Sequence, residues 1–385
     1  MDKVVTRYEG DFAKWLGVRY ARTFWKGRVA LYALLRALSV GNGDEVILPG
    51  YTCVMNVNPI KYLGAKPIYV DIEPDTFNLD VNLLHERVTD NTKVIIAQHT
   101  YGYPCDMDAI MEIAGRQGIA VIEDCCLSLG SKYKDRIVGA FGRAAYFSFQ
   151  WNKPYTTGLG GMAVTDDSDL AERIESLRRE QLCSPSSRER FMLSMQLAVY
   201  RLFIYPRTTA FAQNVFRYLT KKGAVVGSSN SCEFEPVKAE DFFKDITSVQ
   251  ARSGLHQLAA IERNISHRRK MAALYDELLK AKGWTPRRYD GGTIDPVMVR
   301  YPVRIEQKDR ALAQAAGSGI ELGSWFECPL HPIETPLASY DYEIGMCPQA
   351  ERASNQVVNL PLHPRAGEKT VQKTVEFITR YTQAV

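Results

Sequence analysis

The sequence predicts an α/β protein: a three-layer α/β/α large domain built on a mostly parallel sheet, followed by a smaller carboxy-terminal α+β domain. Three observations carry this reading. Between residues 19 and 165, short β-type runs alternate with helical stretches, the arrangement that yields parallel strands with helices on both faces. The runs are rich in β-branched and aromatic residues. With 385 residues, of which 45% are hydrophobic, the chain can bury a large core and is long enough for two domains.

The strands are expected, in order, at Val46–Leu48, Pro67–Val70, Val94–Ala97, Ala120–Ile122, Ala144–Phe149 and Met162–Val164. Helical patterns fall at Val29–Leu38, Val54–Leu63, Met107–Gln117 and Leu170–Leu182, where apolar residues recur at helical spacing. Ligands of such sheets sit at the carboxyl ends of the strands, so the loops after them are the place to seek chemistry. Ile246–Leu279 reads as one long helix with Leu255, Leu258, Ile261 and Ile265 on one face. It connects a large domain, 1–250, to a small one, 251–385. The latter is expected to hold a strand at Tyr301–Ile305, a helix near Asp309–Ala316 and a closing helix at Val371–Tyr381.

A basic insert, about 183–232, interrupts this rhythm. From Leu177 to Lys222 only Glu180 and Glu189 oppose a series of arginines and lysines, and Phe191–Tyr205 is apolar almost all round, the signature of a helix buried on every side or facing lipid. Pro206 ends or kinks it, a second helical pattern places Phe211, Val215, Phe216 and Leu219 on one face, and Gly223–Ser231 reads as a loop. Two readings stay open: a helical hairpin packed on the body of the protein or on a dimer partner, and a peripheral membrane-surface or anionic-ligand contact.

A net charge of +4, with both signs spread along the chain, does not call for a nucleic-acid partner. Residues 1–7 lack the apolar core of a secretory signal, and no apolar run spans a bilayer; the expectation is a cytoplasmic protein. Eight cysteines without CxxC pairing point to packed, reduced thiols and to no metal.

The chemistry gathers at Val121-Ile122-Glu123-Asp124 and, 29 residues after Asp124, at Lys153. An apolar strand ending in a carboxylate sets that group at the ligand edge, in surroundings dry enough to hold a cationic partner such as a protonated pyridine nitrogen. Lys153 follows Phe147-Ser148-Phe149 and precedes a turn rich in Thr and Gly, so its amine can reach the same crevice. These segments stand in order with Gly43–Pro49, Gly64–Asp71, His99-Thr100-Tyr101-Gly102, Thr157–Met162, Gly319-Ile320, Trp325, Pro329-Leu330-His331-Pro332 and Leu360–Pro364.

In that ordered set the chain resembles the sugar aminotransferases of the DegT/DnrJ/EryC1/StrS family, pyridoxal-phosphate enzymes of fold type I. The likeness covers nearly the whole chain except the basic insert. It implies that Lys153 forms the Schiff base with pyridoxal 5'-phosphate and shuttles the proton, work that needs a nucleophilic amine and a proton carrier in one side chain. It implies that Asp124 bonds the pyridine nitrogen and that Ser148, with Gly27 and Arg28 at the start of the first long helix, holds the phosphate. Cys53 and Leu127 take cofactor-side positions where relatives commonly carry an aromatic residue and Gln; Arg28 stands where Thr is usual. Trp325 and His331 are the candidates for substrate binding. The family's interface motif Gly-Tyr-Asn-x-Arg is replaced around Phe243 and Asp245, with Lys244 or Arg252 as possible substitutes.

The function implied is transfer of an amino group from an amino acid, glutamate, to a keto-sugar, in particular a nucleotide-linked 4-keto-6-deoxysugar, within a homodimer. Three alternatives stand beside it. A related sugar dehydratase usually has His at the position of Lys153; a regulatory or membrane-associated member would keep the fold without turnover; a nicotinamide dehydrogenase needs a dinucleotide fingerprint, whose spacing Gly158–Gly161 lacks.

Overall fold

The computed structural model describes residues 2–151, 153–203, 234–285 and 292–381. Seven strands form one sheet in the order Tyr20–Phe24, Gly161–Thr165, Ala144–Ser148, Ala120–Asp124, Thr92–Gln98, Glu45–Pro49 and Lys66–Val70. The last five pair in parallel, whereas Gly161–Thr165 runs antiparallel to both its neighbours.

Successive strand residues point to opposite faces, and here each face feeds its own core. Val46, Leu48, Val94, Ile96 and Ile122 join one cluster; Ile47, Ile95, Ala97 and Val121 join the other. Helices Gly27–Ala37, Val54–Tyr62 and Ser168–Gln181 cover the first face, and Lys3–Leu16 and Met107–Gln117 cover the second. The three layers expected from the alternation are therefore present. Sheets buried on both sides carry apolar residues at consecutive positions, as these do.

The expected single helix Ile246–Leu279 is two helices, Ser248–Leu258 and Ile261–Ala281. A capping box between Thr247 and Gln250 starts the first, and Ala260 leaves helical geometry at φ −107° and ψ 7°. Along the second helix, Ile261 and Ile265 face the second cluster, while Met271, Tyr275 and Leu279 face the first. Alanine favours helix, so the sequence carries no stop signal there.

Beyond it, Tyr301–Arg304 pairs antiparallel with Val357–Leu360, flanked by helices Lys308–Ser318, Pro348–Gln356 and Glu368–Ile378. Their buried residues, among them Tyr301, Val357 and Val371, belong to the first cluster.

In the basic insert, Ser187–Phe203 is helical, but it is not buried all round. Leu193 and Leu197 are buried, whereas Phe191, Met195 and Val199 are 67%, 51% and 47% exposed. The four-residue spacing puts these sets on different faces of one helix, so abundance of apolar residues overstated the burial. The readings for Pro206, Phe211–Leu219 and Gly223–Ser231 lie outside the described residues. Among the described residues no helix is long and apolar enough to cross a membrane, and the cysteines form no disulfide.

Candidate active site

Pro49, Gln98, Asp124 and Ser148 end four adjacent parallel strands and so share the edge at which ligands bind. Asp124 is 3% exposed. Its Oδ2 accepts a hydrogen bond from Asn56 Nδ2 at 2.7 Å, and its Oδ1 accepts one from the Cys126 amide at 2.9 Å. Asn56 also faces Thr52 Oγ1 at 3.0 Å and Gln98 Oε1 at 3.2 Å. Three oxygens around one nitrogen fix which way the Asn56 amide points. Gln98 is held in turn by donating to the Tyr51 carbonyl and to Thr100 Oγ1. The carboxylate thus has a set plane and a supporting polar network. Nearby, burial and then the charge of Asp124 push the Tyr146 phenol well above its ordinary value.

Lys153 sits in a clamped turn. The carbonyl of the next residue, Pro154, accepts hydrogen bonds from Asn264 Nδ2 at 2.7 Å and Arg268 Nη2 at 3.4 Å. Arg268 is buried and also donates to the carbonyls of Met298 and Val299. Tyr155 stacks on Phe149 with centroids 4.7 Å apart, and its hydroxyl lies 2.6 Å from that of Tyr8. The Lys153 amine, by contrast, makes no hydrogen bond or ion pair with the described residues. It lies 5.2 Å from the centre of the Trp325 ring. Cys53 reports the convergence: burial pushes its thiol up, the charges of Arg28 and Lys153 act to lower it, and that of Asp124 acts to raise it. All three charged side chains therefore act on one thiol.

A third group is ready for an anion. Gly27 opens helix Gly27–Ala37, whose preceding residue, Lys26, gives no side-chain cap and whose first turn has no acidic residue. Its amide groups and the positive end of the helix dipole are an anion site. A Cβ on Gly27 would come 2.8 Å from Ser148 Cβ and 3.2 Å from the Phe147 carbonyl, so only glycine lets the helix end abut the strand end. The Ser148 hydroxyl makes no hydrogen bond with the described residues, and Arg28 is buried at the same turn.

The other side of the crevice is made by the carboxy-terminal segment. Leu330–His331 pairs in parallel with Thr52–Cys53 and sets His331 opposite Cys53. Tyr101 donates its hydroxyl to the Trp325 carbonyl, and Asn359 Oδ1 accepts from the Trp325 amide at 2.8 Å. Trp325 and His331 meet edge to face at 6.3 Å. The His331 ring holds the Glu327 carboxyl below its ordinary range, with Nδ1 at 3.4 Å from the carboxylate.

Placement thus brings Gly27, Arg28, Cys53, Asp124, Ser148, Lys153, Trp325 and His331 to one region. Leu127 is buried in the first apolar cluster beside Cys126 and Tyr146. Lys244 is not offered to a second subunit: it is 5% exposed and bound to Glu189 and Asp241. Phe243 packs on Phe24 and Tyr32, and Arg252 is exposed. Asn56, Gln98, Asn264 and Arg268 escaped sequence reasoning, and Tyr101, quoted within a motif, was given no role. Polar residues inside the otherwise apolar stretch after Cys53 were the available signal for Asn56; the others had none.

One more polar group needs placing. His99, Glu123 and Cys125 lie close enough to hold a metal ion, but Glu123 already accepts from His99 Nε2 and from the amides of Gly139, Phe141 and Gly142. His99 Nδ1 accepts from the Cys105 amide. The carboxylate pins the loop after strand Ala120–Asp124.

A buried carboxylate, an unengaged amine and an uncapped helix end beside a free hydroxyl fit the pyridine nitrogen, the aldehyde and the phosphate of pyridoxal phosphate. The sequence profile of the DegT/DnrJ/EryC1/StrS aminotransferase family matches residues 1–203 and 242–379. The chain belongs to this family and is a pyridoxal-phosphate-dependent aminotransferase. Over 381 residues it is 30% identical to the GDP-perosamine synthase of Caulobacter vibrioides, a match covering 97% of this chain and 88% of that protein. The protein of the same name from Escherichia coli O157:H7 is 46% identical over 169 residues, 44% of this chain and 46% of that one. The crystal structure of S. venezuelae DesV in complex with a ketimine intermediate superposes with a TM-score of 0.77 at 25% identity, covering 100% of this chain and 91% of that chain. The stretch outside the family profile, 204–241, falls mostly within the basic insert.

Proposed function

We propose that the protein moves an amino group from glutamate to the keto carbon of a nucleotide-linked 4-keto-6-deoxysugar, and that it works as a homodimer. The observation that carries the reaction type is the unbonded Lys153 amine beside Trp325 and the buried, oriented Asp124 carboxylate at the strand-end edge, with the Gly27–Ser148 anion cradle. The names of the relatives support a sugar as acceptor. The likeness to the family supports the donor and the dimer.

Pyridoxal phosphate, when bound, supplies an aldehyde that takes up the amino group and a ring that accepts the electron pair left when a C–H bond breaks. Asp124 is placed to bond the ring nitrogen and keep its proton there, because Asn56 and the Cys126 amide hold the carboxylate in a fixed plane. Ser148 and the Gly27 amide end would bind the phosphate. Lys153 then acts as base and acid in turn: its amine takes the proton from the donor carbon and later delivers one to the carbon derived from the sugar ketone. Trp325 walls this space beside the Lys153 amine. Two half-reactions through one lysine require ping-pong kinetics.

The dehydratase reading lacks support at its defining position, since Lys153 and not His stands there. The deciding experiment supplies purified protein with pyridoxal phosphate, glutamate and a panel of nucleotide-linked keto-sugars. The expected result is an amino-sugar with one equivalent of 2-oxoglutarate. Sugar product lacking a hydroxyl, or no nitrogen transferred to any acceptor, would sink the proposal.

A further inference from the structure

The crevice contains a second cation that the chemistry above does not use. Arg300, next to strand Tyr301–Arg304, sets its guanidinium carbon 5.7 Å from the centre of the Trp325 ring, the same ring approached by the Lys153 amine. It is half-buried, yet it makes no hydrogen bond or ion pair with the described residues. Space has been left for it. A Cβ on Gly323 would come 2.7 Å from Arg300 Nη1, and the backbones of Gly323 and Asn359, bonded both ways at 2.9 Å, hold that residue in place.

The acidic group acting on Arg300 is Glu321, but its carboxylate is engaged by His363 Nε2 at 2.9 Å. Burial favours loss of the Arg300 charge, and Glu321 and then Tyr101 oppose this. A guanidinium removed from water is normally paired, and its planar fork matches a carboxylate through two parallel hydrogen bonds. Here the fork lies over the Trp325 ring with no hydrogen-bonded partner among the described residues.

We propose that Arg300 is the residue that recognises the carboxylate of the amino donor. The shared indole decides between the two anions available to the reaction. An α-amino acid carries its carboxylate one carbon from the amino group delivered at Lys153. A nucleotide-linked sugar puts a hexose ring between its keto carbon and its phosphates. Only the former keeps the anion at the wall that Lys153 also touches. This assignment rests on the proposed amino-acid-to-sugar transfer and adds the contact that selects the donor.

The test is a pair of measurements on the holoenzyme. Calorimetric titration with glutarate, a non-reacting dicarboxylate, is expected to show binding that its uncharged diamide lacks, and that Arg300→Gln weakens about tenfold or more. Steady-state kinetics are expected to show the KM for glutamate raised about tenfold by Arg300→Gln and partly restored by Arg300→Lys, with the KM for the keto-sugar unchanged. Equal binding of glutarate and its diamide by the unaltered protein overturns the proposal even if the variants do not fold. A glutamate KM indifferent to Arg300→Gln overturns it too, as does a rise confined to the keto-sugar, which would assign Arg300 to the sugar's phosphates or acid group. Absence of amino transfer in the unaltered enzyme would refute the proposed reaction instead, and the glutarate titration still reads Arg300 separately.

Discussion

Asn56 Nδ2 donates to Asp124 Oδ2 at 2.7 Å, and the same nitrogen faces oxygens of Thr52 and Gln98. An amide on the helix after one strand therefore sets the orientation of a carboxylate at the end of another. Asn56→Leu removes that donor from a charged acceptor, a loss of roughly 1.5–3 kcal/mol. Affinity for pyridoxal phosphate should drop accordingly by about ten- to a hundredfold, read by absorbance titration of apoprotein. Asp124→Asn should keep the shape of the site and lower turnover by about a hundredfold or more.

Lys153→Ala should abolish transfer and eliminate labelling by borohydride reduction, while mass spectrometry of the unaltered protein should find the reduced cofactor on Lys153 alone. Because the Lys153 side chain has no hydrogen bond to the described residues, the variant should melt within a degree or two of the parent without cofactor. A large fall in melting temperature would show that the amine has a structural partner instead.

Gly27→Ala introduces a methyl 2.8 Å from Ser148 Cβ. Overpacking of this kind costs about 1–3 kcal/mol, and it strikes where the helix end meets the strand. Stability by urea unfolding and phosphate binding by the apoprotein should fall together. Ser148→Ala should reduce phosphate binding with little change in stability, and the comparison separates the cradle from the packing.

The Glu327 carboxyl is held below its ordinary value of 4.5, first by the His331 ring beside it. A carboxyl lowered in the folded state adds stability that is complete above its unfolded value and is lost as the pH falls through the folded one. Glu327→Gln should therefore be less stable than the parent at pH 7 and equal to it well below pH 4, measured by urea unfolding at both. Equal stability at pH 7 would contradict the link to His331.

The sheet was legible because its strands are unbroken β-branched or aromatic runs between helical patterns. Tyr20–Phe24 was not, since Arg22 and Thr23 dilute it, and only pairing with Gly161–Thr165 makes it a strand. The turn at Ala259–Ala260 has no local signature. Of the site, Asp124 and Lys153 could be singled out because strand ends and a glycine-rich turn mark them, whereas Ser148 followed from the resemblance to the family. Asn56 and Arg300 could not, because their meaning comes from which segment lies opposite. Arg300 reads as any charged residue at the start of a strand until Trp325 and Gly323 are brought beside it.

The parallel seam between Thr52–Cys53 and Leu330–His331 also bears on how ligands enter. The Pro329 carbonyl accepts from the Thr52 amide at 2.9 Å, and the Tyr51 hydroxyl accepts from the Phe326 amide at 3.1 Å. The indole wall and the floor that carries Asp124 are thereby stitched across their shared edge. Lifting one from the other would tear main-chain bonds, so ligand traffic has to pass around the tryptophan and not beneath it.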